Sequence, residues 1–188
     1  WVGTLRGTCV VKKNTFEINT FNDHPLLNEI SKIPCASLWK DNEGRMWIGT
    51  TRGVWCYDQD KNSLLHYSTQ NGLAHNTVYA TNNDHSGNIY FATAGGLSIL
   101  SKDGKITSFN RSNGLRNDRC EGILRDEKGF LWIGNLNCII RYDPVNKTFA
   151  VFEEGLGFSH AGFRMRSSHK SKTGEMFWGS DKGLTYFF

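Results

Sequence analysis

Three arginines and a glutamate fall where polar connections lead into short apolar runs: Arg119 with Glu121, then Arg164 with Arg166. A guanidinium presents a planar fork of N–H donors that matches a carboxylate, a sulfate or paired hydroxyls. Asp118 and Glu121 form an acidic pair in the same region, and two carboxylates flanking a sugar bond are the equipment of glycoside hydrolysis. His75 and His160 lie in connections of the same kind, and a free imidazole titrates near neutrality. Tyr79 and Trp39 offer flat rings on which a sugar face could stack.

The catalytic readings meet obstacles in the residues themselves. Asp118 and Glu121 come from one segment, and no other part of the chain repeats them. The sialidase spacing Ser-x-Asp-x-Gly-x-Thr-Trp is not met, because glycine follows Asp41 by three positions and Trp47 follows it by six. There is no G-x-S-x-G for a serine nucleophile. Asp58-Gln59-Asp60-Lys61-Asn62 hints at calcium, yet the sixth position is Ser63 and the twelfth is Thr69, so the loop breaks the EF-hand rule. Cys9, Cys35, Cys56, Cys120 and Cys138 contain no C-x-x-C pair, which leaves zinc without support. Four of the five cysteines sit in apolar stretches and read as small buried hydrophobes, with a disulfide open in an oxidising compartment. The expectation is a chain with no catalytic residue, no metal and no cofactor, in which binding outranks catalysis.

Elements must hold these side chains, and the composition says of what kind. The 188 residues suffice for one domain with a real core. Aromatics make up 13%, and 20 glycines against three prolines describe a turn-rich globular chain rather than a disordered one. The net charge of +4 is dispersed, which permits an acidic ligand and gives no argument for nucleic acid. No apolar run approaches the ~18 residues of a membrane span. The opening Trp1-Val2-Gly3-Thr4 reads as the middle of an ordered element, which suggests a piece of a longer chain.

The chain also repeats itself. RMWIGTTRGVWCYD (Arg45–Asp58) returns as FLWIGNLNCIIRYD (Phe130–Asp143). Aligned on the small residue after the aromatic pair, the anchors are Gly3, Gly49, Ala92, Gly134 and Gly179, at steps of 46, 43, 42 and 45 residues. Eight before the anchor stands Asp41, Asp84 or Asp126, with Ser171 the exception. Five before it stands Gly44, Gly87, Gly129 or Gly174, and four after it Gly7, Gly53, Gly96 or Gly183, with Cys138 the exception. In the copy around Ala92, strands are expected at about 77–82, 88–93, 97–101 and 105–109, separated by Asp-Gly and Gly-Gly turn chemistry.

Four short antiparallel strands in a unit of this length form a β-propeller blade, which is stable only between neighbours. The fold expected is all-β, a β-propeller fragment of about four blades plus a partial one. One segment is expected over 1–188: a partial blade at 1–21, blades at 30–67, 76–109 and 118–152, and an incomplete last blade at 161–188. Trp47, Tyr90, Trp132 and Phe177 then read as inter-blade core.

Asn-Gly-Leu, a short strand, Asp-x-x-Gly and Leu-Trp-Ile-Gly, as in NGLRNDRCEGILRDEKGFLWIG (Asn113–Gly134), resemble the two-component regulator propeller repeat. NGLAHNTVYATNNDHSGNIYFATAGGL (Asn71–Leu97) is a second example. The last copy is four residues longer between Gly155 and Gly179 than its partners, and it resembles the terminal blade of such sensors. The resemblance implies the periplasmic ligand-sensing region of a membrane-anchored hybrid two-component histidine kinase. It implies further blades upstream, a following immunoglobulin-like domain and an oligosaccharide ligand that regulates polysaccharide utilisation, and it allows a homodimer. The competing readings are a polysaccharide-degrading propeller and a protein-interaction propeller.

On a repeated scaffold, binding falls to what does not repeat. The candidate ligand residues are His75, Tyr79, Arg119, Glu121, His160, Arg164 and Arg166. Arg119 and Arg164 share an offset, as do Glu121 and Arg166. The plain alternative is that Glu121 and Arg166 pair with each other across adjacent blades.

Overall fold

The computed structural model of the chain describes residues 1–153 and 162–188. Its strands group into five antiparallel sheets. The first holds β1 (Val2–Thr4), β2 (Gly7–Val11) and β3 (Ile18–Asn19). The second holds β4 (Cys35–Lys40), β5 (Met46–Thr50), β6 (Gly53–Asp58) and β7 (Ser63–Tyr67). The third holds β8 (Val78–Asn83), β9 (Ile89–Thr93), β10 (Gly96–Leu100) and β11 (Ile106–Phe109). The fourth holds β12 (Cys120–Arg125), β13 (Leu131–Asn135), β14 (Cys138–Asp143) and β15 (Thr148–Phe152). The fifth holds β16 (Phe163–Lys170), β17 (Met176–Ser180) and β18 (Gly183–Phe187).

The sequence expectation of about four blades plus a partial one is corrected to five blades. The opening residues already pair three strands, which is enough to form a sheet of their own. Because Gly3 of β1 is the equivalent of Gly49 of β5, the first sheet contains the second, third and fourth strands of the unit. The fifth contains the first three.

The strands alternate, so successive side chains face opposite neighbours. In β5, Trp47 points into the cluster shared with Phe91, Val78 and Leu100 of the third blade. Ile48 points the other way, to Phe21, Leu27 and Ile30 before the second blade. The third and fourth blades share Tyr90, Leu97, Ile133 and Tyr142, and the fourth and fifth share Ile139, Phe163 and Trp178. Among the described residues, four separate apolar clusters each lie between two consecutive blades. Trp132, half-buried, packs on Phe152 and Phe187, and Phe177 stacks on Tyr186.

The anchors explain how the blades come so close. A Cβ at Gly49 would lie 2.2 Å from Ser37 Oγ and 3.0 Å from the Val78 carbonyl of the next blade. At Gly134 it would meet the Trp178 ring at 2.6 Å. Hydrogen bonds add to the same joints: Trp39 Nε1 donates to Asn83 Oδ1 at 2.7 Å between the second and third blades. The innermost strands β4, β8, β12 and β16 follow one another around the axis. Arg166 of β16 then donates to the Cys35 carbonyl of β4 at 2.8 Å, bringing the fifth blade back towards the second.

Candidate functional site

Every innermost strand breaks its ladder at the same level. β4 pairs Cys35 with Thr50 and then Ser37 with Gly49, so Ala36 is extra. β8 does the same around Tyr79, and β12 around Glu121. These are β-bulges, which bend a strand and re-aim one side chain, and they favour barrel rims and binding sites. In β16 the irregularity widens: Phe163 pairs with Ser180 and Ser168 with Trp178, leaving Arg164 to Ser167 opposite Gly179. The two-residue step on β17 is matched by five on β16, against three from Cys35 to Leu38 in β4. Two of the four extra residues of the last copy are therefore spent in this bulge.

Thirteen residues before each anchor stand Ala36, Tyr79, Glu121 and Arg166. These four residues of different type share the column of bulges, at one end of the axis. This geometry brings Tyr79, Arg119, Glu121 and Arg164 into one neighbourhood. The Arg119 guanidinium lies 5.3 Å from the centre of the Tyr79 ring. Its Nε donates to Glu121 Oε1. Glu121 is buried, and its second oxygen, Oε2, has no hydrogen-bond partner. Arg164 forks onto Asp181 through Nε and Nη2, and that carboxylate, together with the nearby Glu121, holds the guanidinium pKa above its ordinary value.

The alternative pairing of Glu121 with Arg166 is not made. Arg119, two residues away, reaches Glu121 first, while Arg166 turns across to the Cys35 carbonyl. The shared offset of Arg119 and Arg164 also places them differently: Arg119 precedes β12, whereas Arg164 lies inside the wide bulge. Asp118 Oδ1 accepts the Arg111 backbone N–H at 2.6 Å. His75 closes its own turn, its Nδ1 accepting from the Thr77 N–H at 2.9 Å. Trp39 is engaged with Asn83. His160 lies outside the described residues.

Asn135 sets the connection ahead of β12, its Nδ2 donating to the carbonyls of Asn117 at 2.8 Å and Arg119 at 2.9 Å. Sequence reading passed over this residue, although it stands directly after an anchor glycine. The five cysteines form no disulfide with one another, and four of them are buried. Burial pushes the Cys56 and Cys120 thiols up to about 12 and Cys138 to about 11. No group of His, Cys, Asp and Glu among the described residues is arranged to hold a metal ion.

A second concavity lies at the other end of the blades, between the second and third. It encloses about 370 Å³ beneath Arg45, Lys61 and Lys102, and Cys56 and Leu100 line it.

Both the fold and the repeat have counterparts among known proteins. No family model matches the sequence, and no curated protein matches it. Among solved structures, the extracellular domain of BT3049 from B. thetaiotaomicron, named for a hybrid two component system, superposes with a TM-score of 0.84 at 26% identity. All of this chain is covered, and 26% of that one. The extracellular domain of BT4673 from the same organism, named for a one component system, gives a TM-score of 0.67 at 19% identity over 81% of this chain and 22% of that one. Virginiamycin B lyase from Staphylococcus aureus gives 0.67 at 16% identity over 97% of this chain and 63% of its own, a likeness of fold alone. The chain is a β-propeller. Its repeats are of the two-component regulator propeller kind, and it spans about a quarter of the BT3049 extracellular domain.

Proposed function

We propose that this chain is part of the ligand-sensing propeller of a hybrid two-component sensor, exposed to the periplasm, and that it takes an oligosaccharide at the bulged end of its axis. The observation that carries the reading is the whole-chain likeness to the BT3049 extracellular domain. The bulges support the placement of the ligand, because they turn the non-repeating residues Tyr79, Glu121 and Arg164 towards one end of the axis. The chemistry on offer there is recognition rather than bond cleavage: guanidinium forks and one aromatic face. No helix among the described residues is long and apolar enough to cross a membrane, so the anchor of such a sensor would lie elsewhere in the polypeptide.

The test is calorimetry of the full-length protein against a panel of plant and host oligosaccharides, with chromatography of the recovered sugar. Saturable binding that weakens in Tyr79→Ala and Arg119→Ala, with the sugar returned intact, is the expected result. Shortened oligosaccharides in the eluate would refute sensing in favour of a degrading enzyme. A panel without binders, alongside a stable protein partner, would refute the saccharide ligand.

A further inference from the structure

One guanidinium in the ring of bulges has no carboxylate partner among the described residues. Arg119 is matched by Glu121 and Arg164 by Asp181, both through side-chain hydrogen bonds. Arg166 has no carboxylate partner among the described residues; its hydrogen bond goes to the neutral carbonyl of Cys35.

Arg166 is also held there against its own backbone preference. Its φ is +62°, in the left-handed region where a residue with a Cβ is disfavoured. Non-glycine residues persist in such conformations when the surroundings fix them, and they concentrate at ligand clamps. The surroundings here are the widened bulge, which exists only in this blade. The side chain of Arg166 borders a cavity of about 140 Å³ with Ala36, Ser37 and Leu38 of β4. Ala36 is the bulge residue of its own strand, and the smallest side chain in that column leaves room beside the guanidinium.

We propose that the saccharide taken at this end is an acidic one, carrying a carboxylate or a sulfate that Arg166 receives as a two-pronged hydrogen-bonded pair. This rests on the placement of the ligand at the bulged end. A neutral sugar would leave Arg166 without an anionic partner.

Titration of the full-length protein with matched probes tests it: oligogalacturonate against its carboxyl-reduced form, a sulfated chondroitin disaccharide against its desulfated form, and sodium sulfate alone. At least one charged probe should bind about tenfold or more tighter than its neutral match, the worth of one charge-assisted hydrogen bond. Arg166→Gln should erase that preference. Ala36→Asp, which sets a carboxylate beside an intact Arg166, should erase it as well and guards against a folding artefact in the first variant. Equal binding of charged and neutral probes, or a preference that survives both variants, would overturn the acidic-ligand proposal while leaving the sensing reading standing. Sodium sulfate binding as tightly as the sulfated sugar would overturn the saccharide part. Failure of every probe and every neutral oligosaccharide would overturn the sensing reading, and this proposal with it.

Discussion

The indole Nε1 of Trp47 donates to Asp41 Oδ2 at 2.7 Å, six residues back across a hairpin. The same bond recurs from Tyr90 to Asp84 at 2.7 Å and from Trp132 to Asp126 at 2.8 Å. The other oxygen of each aspartate ties the turn: Asp41 Oδ1 accepts the N–H groups of Glu43 and Arg45, and Asp126 Oδ1 those of Lys128 and Phe130. One carboxylate thus shapes the hairpin and satisfies a ring that must be buried between blades. In the last blade the aspartate is Ser171 and the ring is Phe177, which has nothing to donate. Ser171 Oγ keeps the turn, accepting from the N–H groups of Thr173 and Glu175.

That substitution within the repeat defines an experiment. Asp41→Ser should cost about 1–3 kcal/mol, because the buried Trp47 N–H loses its acceptor. Trp47→Phe should be costly as well, leaving an aspartate oxygen with one donor fewer. The double variant copies the last blade and should cost less than the sum, with a coupling of about 0.5–3 kcal/mol in chemical denaturation. Additive losses would show that the bond contributes nothing beyond its two residues.

The anchor glycines yield a sharper prediction than their role as turn residues would. Gly134 is not in the left-handed region; what it lacks is room, with the Trp178 ring 2.6 Å from where a Cβ would stand. Gly134→Ala should therefore destabilise the joint of the fourth and fifth blades by about 1–3 kcal/mol. Ala92 occupies the equivalent place one blade earlier, so the third blade already tolerates the methyl group. Ala92→Gly should lower stability by about 1 kcal/mol through added chain entropy and a small void. A melting curve for each variant separates the two.

The framework was legible because it repeats. Offsets from the anchors place the aspartate turns, the aromatic pairs and the tight glycines, and each reflects a local rule of turn chemistry or alternation. The expected second strand at 88–93 is observed as Ile89–Thr93. The bulges were not legible, since an extra residue in an inner strand leaves no mark in residue type: Ala36, Tyr79, Glu121 and Arg166 share a position and nothing else. The partners of the arginines were hidden for a related reason. Arg166 reaches Cys35 across 131 residues, a closure of the ring that no local pattern encodes.

The thiols predict an alkaline limit. Burial raises Cys56 and Cys120 from 9.0 to about 12, and Cys138 to about 11. A pKa raised by folding leaves stability untouched below the unfolded value and erodes it as pH climbs towards the folded one. Stability should hold up to about pH 9 and fall between there and pH 12, with Tyr90, raised by burial and by Asp84, acting in the same direction. At pH 8 a thiol reagent should label the buried cysteines only as fast as the protein opens. Prompt labelling of Cys120 in the native protein would contradict its burial.

The cavity between the second and third blades has a cause that the repeat itself identifies. Seven and eight residues after the anchors, the facing pairs are Val10 with Tyr57, Ile99 with Tyr142, and Arg141 with Phe187 at the other three joints. At this joint they are Cys56 and Leu100, and the space of about 370 Å³ opens where they stand. Cys56→Val should fill part of it and stabilise the protein by about 0.5–2 kcal/mol, as filling of voids commonly does. Leu100→Tyr should act in the same sense, its hydroxyl leaving towards the charged rim of Arg45 and Lys61. Denaturant midpoints of the two single variants and the pair decide it. A loss of stability in Cys56→Val would mean that the joint closes around its small residues, and that the space lies outside the packed interface.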